Sequence, residues 1–287
     1  MELREVLGWR RSIRFYLPYR SVERTKVEKM LEAARRASCV GNVNNTRAIV
    51  VWRDQASAEL LEALTPPLGY QQMQTAPCFI VWYSDAAAYE VNKWIDDLKA
   101  LADMRRLGSD AEETKQLIEQ FLRPVFTPMW QQAAVAPLAF MDLGQAVAQA
   151  TLMAYDEGLG TCLMSGPTMI EKLNKLLKLP ETATLVCIMS VGYPAESREA
   201  GGQTNKAPFE SLFFEMEYGR PMKLSTQTVE ELKRARLPQE PAPLPWRDEE
   251  LKHYSGARPW HRGTEAGQGL RGGTHVAGGL RSRGIGK

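Results

Sequence analysis

The sequence predicts an α+β sandwich, and three observations carry that expectation. Strand-like apolar runs are short and few: 48–52 (AIVVW), 77–83 (PCFIVWY) and 184–191 (TLVCIMSV). Stretches of helical periodicity outnumber them and lie between them. A chain of 287 residues, 44% hydrophobic and 24% charged, is large enough to bury one core without disulfide staples.

Taken in order, the elements read as follows. In 22–37 (VERTKVEKMLEAARRA), Val27, Met30, Leu31 and Ala34 recur at helical spacing, with Ser21 as the cap. A polar turn, SCVGNVNN, leads into the strand 48–52. The short helix 56–64 stops at Pro66-Pro67, and the strand 77–83 follows. From 86 to about 132 the chain reads as helical, with breaks at Gly108, Pro124 and Pro128. The segment 138–157 is the most apolar helix and ends at Gly158. A glycine-bearing stretch, GLGTCLMSGP, precedes a helix over 169–177 and the strand 184–191, which closes in Gly192-Tyr193-Pro194. After a polar linker and the apolar 209–218 (FESLFFEMEY), 221–245 reads as proline-bearing and extended.

Composition removes several function classes. No window approaches the ~18 uninterrupted apolar residues of a membrane span. The start, MELREVLGWRRSIRFY, lacks the apolar core of a secretory signal. Cys39, Cys78, Cys162 and Cys187 are scattered and read as reduced thiols of a cytoplasmic protein. The three histidines, His253, His261 and His275, all lie near the C-terminus, so the body has no imidazole for a nucleophilic triad, a His-ligated metal or a general base. No metal site and no protein catalytic group is expected; a bound cofactor is the natural carrier of chemistry. The tail 256–287 holds six basic residues and one acid, so with +2 overall the body carries −3 and is not built for nucleic acid. Rich in Gly and Arg, that tail reads as a disordered appendage or a weak partner contact.

Four features carry candidate chemistry. Arg10, Arg11, Ser12 and Arg14 concentrate three guanidiniums and a hydroxyl; in an extended stretch Arg10, Ser12 and Arg14 face one way, as a phosphate cradle or as a solvated basic strand. The turn Ser38-Cys39-Val40-Gly41-Asn42-Val43-Asn44-Asn45 offers amides and backbone N–H groups to a flat polar ligand, or is an ordinary Asn/Gly turn. Gly158 to Gly166 allows close backbone approach, but its spacing is no dinucleotide fingerprint. Lys206 stands in a polar loop and alone means nothing.

In this order the features resemble the FMN-dependent nitroreductase family over roughly 5–220. The resemblance rests on RRSIR, the SCVGNVNN turn after the first long helix, the apolar helix ending in GLGTC, MSGP, the strand into VGYP, and NKAPFESL. It implies a three-layer α/β/α sandwich with a mainly antiparallel central sheet. It also implies an intertwined homodimer that holds FMN at the subunit interface, both chains lining each site. On that resemblance 1–220 is the FMN-binding domain, 221–255 an arm packed on the partner subunit, and 256–287 the disordered tail.

Carried over residue by residue, Arg10, Ser12 and Arg14 become contacts to the FMN phosphate and the polar edge of the flavin, with Arg11 in the same motif and Lys206 a second cation on the phosphate. Cys39, Asn42 and Asn44 take the positions of the family's turn residues. Met164, Ser165 and Gly166 pass the ring near N5. The turn departs from the family's: the usual proline and Trp are missing. The implied function is reduction of a small electron-poor acceptor, nitroaromatic or quinone-like, by ping-pong hydride transfer from NADH or NADPH. Alternatives on the same fold are a dehydrogenase of a peptide-derived ring, a reductive dehalogenase and a flavin-cleaving enzyme; an alternative of another class is a non-catalytic flavin- or partner-binding module. Trp94, Phe126 and Trp130 are expected either to stack on substrate or to pack the helical layer. Arg105 and Arg106 read as contacts to an acidic substrate or as a solvated face.

Overall fold

The computed structural model describes residues 2–66, 70–133, 137–164, 167 and 169–255. Its centre is a four-stranded sheet in the order β1-β2-β4-β3: β1 (Thr46–Trp52), β2 (Cys78–Asp85), β3 (Gly160–Met164) and β4 (Ala183–Gly192). Every neighbouring pair is antiparallel. β2 sits in the middle, and its alternate side chains divide between two cores. Cys78, Ile80 and Trp82 meet Val27, Met30 and Ala34 of α2 (Arg24–Arg35) and Leu143, Val147 and Ala150 of α8 (Pro137–Asp156). Phe79 and Val81 meet Ala63 and Leu64 of α3 (Ala58–Leu64) and Leu173 of α9 (Ile170–Leu176). Helices on both faces of a buried antiparallel sheet make the expected three-layer α+β sandwich.

The short α1 (Leu3–Trp9) opens the chain, an element the reading above did not anticipate. α4 (Tyr70–Thr75) precedes β2. A third core is built by α5 (Val91–Asp103), α6 (Ala111–Leu117) and α7 (Arg123–Ala133), where Trp94, Ile95, Leu98 and Ile118 pack on Val43, Tyr89 and Ala139. The expected break at Gly108 falls between α5 and α6. The breaks expected at Pro124 and Pro128 do not occur. Pro124 follows directly on the π-helical turn in one continuous helical run, and Pro128 lies inside α7. The discontinuity falls instead at a π-helical turn, Ile118–Leu122.

Two further expectations need correcting. GLGTCLMSGP, read as a glycine-bearing stretch, contains the edge strand β3 over Gly160–Met164. A Cβ on Gly160 would lie 2.6 Å from Ile13, so glycine here admits the N-terminal segment against the sheet. The extended reading of 221–245 misses a helix, α11 (Thr226–Arg234), begun by Ser225 accepting the Thr228 N–H. The apolar 209–218 forms the single-turn α10 (Phe209–Leu212) and then a hairpin in which Phe214 pairs with Pro221.

The compact unit runs through Pro245, beyond the boundary expected at 220. The later part of the arm returns to its own chain: Gln203 N–H donates to Glu240 O, Ala242 N–H to Gln203 O and Leu244 N–H to Gly201 O. α12 (Arg247–Ser255) belongs to a separate unit. The tail 256–287 lies outside the described residues. Among the described residues no helix is long and apolar enough to cross a membrane, and all four cysteines are free thiols.

Candidate functional site

The segment after α1 runs extended along the outer edge of β3. Ser12 pairs in parallel with Thr161, Ile13 N–H donates to Thr161 O at 2.9 Å, and Leu17 N–H to Tyr193 O at 3.0 Å. Strand alternation buries Ile13 and Phe15, and leaves Ser12 half-buried and Arg14 exposed on the opposite side. The buried carboxylate of Glu196 clamps the segment by accepting both Arg14 N–H and Phe15 N–H, the latter at 3.1 Å. Sequence reasoning passed over Glu196; its signal is an acid placed directly after the VGYP strand end.

Arg11 points away from Ser12 and Arg14. Its Nη1 donates to Gly8 O at 2.7 Å and Arg10 O at 2.9 Å, closing the end of α1, while its buried Nε has no partner. Burial, then the charge of Arg10, lowers its pKa, though a guanidinium stays charged at any working pH. Arg10, Arg11 and Arg198 line a small crevice, open to solvent, with Thr151, Tyr155 and Thr161. Arg198 lies over the Tyr155 ring at 4.1 Å and donates to Tyr155 O. No salt bridge joins any of the three to a carboxylate among the described residues, though the charge of Glu199 acts on Arg11, so positive charge is concentrated at this end of the segment.

The second group of residues sits in the turn before β1. Gly41, Asn42 and Asn44 all take left-handed backbone conformations, with φ of 53°, 60° and 52°. Asn adopts this region more readily than other side chains, and Asn44 Nδ2 closes the turn on Asn42 O at 2.6 Å. A Cβ on Gly41 would meet Trp94 Nε1 at 2.6 Å. Asn45 is fully buried, its Nδ2 donating to Ser84 Oγ and Ala139 O at 3.1 Å each. Cys39 Sγ lies 3.9 Å from Asn44 Oδ1.

The sheet determines how these groups relate. β1 and β4 run one way, β2 and β3 the other, so the start of β1 and the end of β3 share one end of the sheet. The turn with Cys39, Asn42 and Asn44 lies there at the β1 edge. Met164, buried and paired with Ile188, lies there at the β3 edge, where the parallel register of Ser12 also brings Arg14. Three strand spacings, roughly 14 Å, separate the two edges. The candidate residues of one chain thus fall into two groups at opposite edges of the sheet. Ser165 and Gly166 lie outside the described residues. Lys206 is exposed in the loop leading to α10.

Of the aromatic residues, Trp94 is buried and stacked on Phe126, centroids 3.9 Å apart and planes 7° apart, with the edge of Tyr89 at 5.5 Å. One face of the indole is therefore covered by Phe126. The side chain of Trp130 lies outside the described residues. Arg105 and Arg106 are exposed.

A model of the nitroreductase family matches residues 7–104 and 129–193, more than half of the chain. The chain belongs to the nitroreductase family. A Thermus thermophilus protein named NADH dehydrogenase is 30% identical to it over 206 residues, 71% of this chain and 90% of that one. Among solved structures, a protein from Staphylococcus epidermidis assigned as an NAD(P)H:FMN oxidoreductase superposes with a TM-score of 0.61 at 17% identity, over 75% of this chain and 96% of that one. A protein from Exiguobacterium sibiricum assigned as a nitroreductase, solved in complex with FMN, gives 0.57 at 20% identity, over 74% and 96%. As a nitroreductase-family member the chain is an oxidoreductase. The family match omits 105–128, which contains α6, the π turn and the first part of α7. Phe126 therefore belongs to the part of this chain that the family model does not cover, and Trp94 to the part that it does.

Proposed function

We propose that the protein is an FMN-dependent oxidoreductase that takes hydride from NADH or NADPH and reduces a small electron-poor acceptor, nitroaromatic or quinone-like, by turns in one pocket. The observation that carries this reading is the β3-edge segment. It presents Ser12 and Arg14 on one side, beside Arg10, whose guanidinium makes no ion pair among the described residues. A hydroxyl and unneutralised guanidiniums along one strand edge fit a phosphate and the polar rim of a flavin. FMN, when bound, supplies the centre that accepts and donates hydride.

The chain's own residues bind and orient. Arg10 and Ser12 hold the phosphate, with Lys206 as a second cation. Arg14 keeps a fixed positive charge at the polar edge of the ring system, where it favours added negative charge. Met164, leading into Ser165 and Gly166, forms the floor beside N5. Cys39, Asn42 and Asn44 form the opposite wall. Because one chain carries its two half-sites at opposite edges of the sheet, a homodimer in which each half-site meets its complement on a second copy completes two equal sites. The exposed apolar side chains Leu212, Phe213, Phe214, Met216, Tyr218 and Met222 favour such a partner, since patches of this kind mark interfaces. The four free thiols accord with a cytoplasmic enzyme.

The test is a visible spectrum of the purified protein, followed by NADH or NADPH without oxygen. Bleaching of a flavin spectrum, and its return on adding a nitroarene or quinone, is the expected result. FMN that binds but stays oxidised with both nucleotides would contradict the donor assignment.

A further inference from the structure

The most apolar helix of the chain contains one charge in its interior. Asp142 lies in α8, 1% exposed, next to Leu143 of the sandwich core. A buried carboxylate costs stability unless it has a specific partner. Here Oδ2 accepts the Val40 N–H at 3.0 Å, across 102 residues of chain. Val40 opens the left-handed turn that carries Asn42 and Asn44 and follows directly on Cys39. One helical turn before Asp142, Ala139 O accepts from the Asn45 side chain at the far end of the same turn. Both ends of the turn are therefore fastened to α8. The other oxygen of Asp142 and the hydroxyl of Tyr89 are buried with no protein partner, and the two groups lie close enough to interact electrostatically. Among the described residues Tyr89 is the titratable group that faces Asp142, and Cys39 faces Tyr89 in turn.

We infer that Asp142 is a positioning residue for the flavin site: by holding the Val40 N–H it sets the turn that presents Cys39, Asn42 and Asn44. This rests on the FMN reading above. Burial raises the Asp142 pKa from its ordinary value, with the Val40 hydrogen bond opposing that shift. The raised pKa gives the role a distinctive pH signature. The ionised carboxylate accepts more strongly than the neutral acid, so flavin affinity is full above the Asp142 pKa and falls as pH drops through it. Fold stability changes the other way through this group. An acid whose folded pKa is raised destabilises the fold when ionised, and protonation relieves that penalty.

The experiment measures FMN affinity of the deflavinated full-length protein by flavin fluorescence, from neutral pH downward, in wild type, Asp142→Asn and Asp142→Ala. Asn retains an acceptor oxygen and is expected to keep affinity within about 5-fold at neutral pH, with the acid-side fall abolished. Ala is expected to lose about 10-fold or more. Equal affinities and parallel pH profiles in all three proteins would overturn the inference while leaving the FMN reading intact; a wild type that binds no FMN would instead overturn that reading. Should the Ala variant not fold, amide exchange in the wild-type holoprotein decides: the Val40 N–H is expected to be protected, with a chemical shift that follows the Asp142 titration. A Val40 amide that exchanges freely would contradict it.

Discussion

The β3-edge segment and the turn before β1 are held in different ways. At the β3 edge, Arg10, Ser12 and Arg14 sit on a segment fixed by main-chain pairing to Thr161, Tyr193 and Pro194 and by one carboxylate, Glu196. At the β1 edge, Cys39, Asn42 and Asn44 sit on a turn with three left-handed residues, held mainly by the side chains of Asn45 and Asp142. Main-chain pairing does not depend on which side chains the segment exposes. The left-handed turn does depend on particular side chains: the buried Asn45 and Asp142, and residues that tolerate positive φ. The segment is therefore free to change its exposed residues without loss of fold, and the turn is not free to change its supports.

Substitutions ordered by expected size probe that contrast. Gly41→Val forces a β-branched residue into the left-handed region and drives its Cβ into Trp94 Nε1; urea unfolding should show a loss of about 3 kcal/mol. Unchanged stability would mean that the turn relaxes freely and the contrast is false. Asn45→Ala removes the two buried hydrogen bonds to Ser84 Oγ and Ala139 O, and the same measurement should report about 2 kcal/mol. Glu196→Gln keeps an acceptor for the Arg14 and Phe15 N–H groups and should cost about 1 kcal/mol. Ser12→Ala should leave stability within about 0.5 kcal/mol yet weaken FMN by about 5-fold, measured by flavin fluorescence. Tyr218→Ser, on the exposed hairpin, should leave monomer stability within the same margin and weaken self-association in sedimentation.

The sheet and its layers were legible because their signals are local. The runs 48–52, 77–83 and 184–191 become β1, β2 and β4 with small changes at their ends, and the apolar 138–157 becomes α8. β3 was hidden because Gly160 is a poor strand former whose reason for being there, the side chain of Ile13, lies far away in sequence. The prolines at 124 and 128 misled because both are accommodated within α7, with the discontinuity at the π turn before it. Of the site, RRSIR and the Asn-rich turn announce themselves through composition. Glu196, Asn45 and Asp142 do not, since each acts through a hydrogen bond to a distant backbone group. The one available hint was a charge inside the most apolar helix. Trp94 was legible as an aromatic residue but not as the stacked partner of Phe126 and neighbour of Gly41, both of which require the fold.

The central claim is that the β3-edge segment holds the FMN phosphate. Comparing FMN with riboflavin, which lacks that phosphate, in wild type and Arg10→Ala tests it most directly. The account predicts that wild type binds FMN ~100-fold or more tightly than riboflavin, and that Arg10→Ala loses most of that preference while its riboflavin affinity is unchanged. Equal affinity of the wild-type protein for FMN and riboflavin, or a preference that survives Arg10→Ala intact, would contradict it.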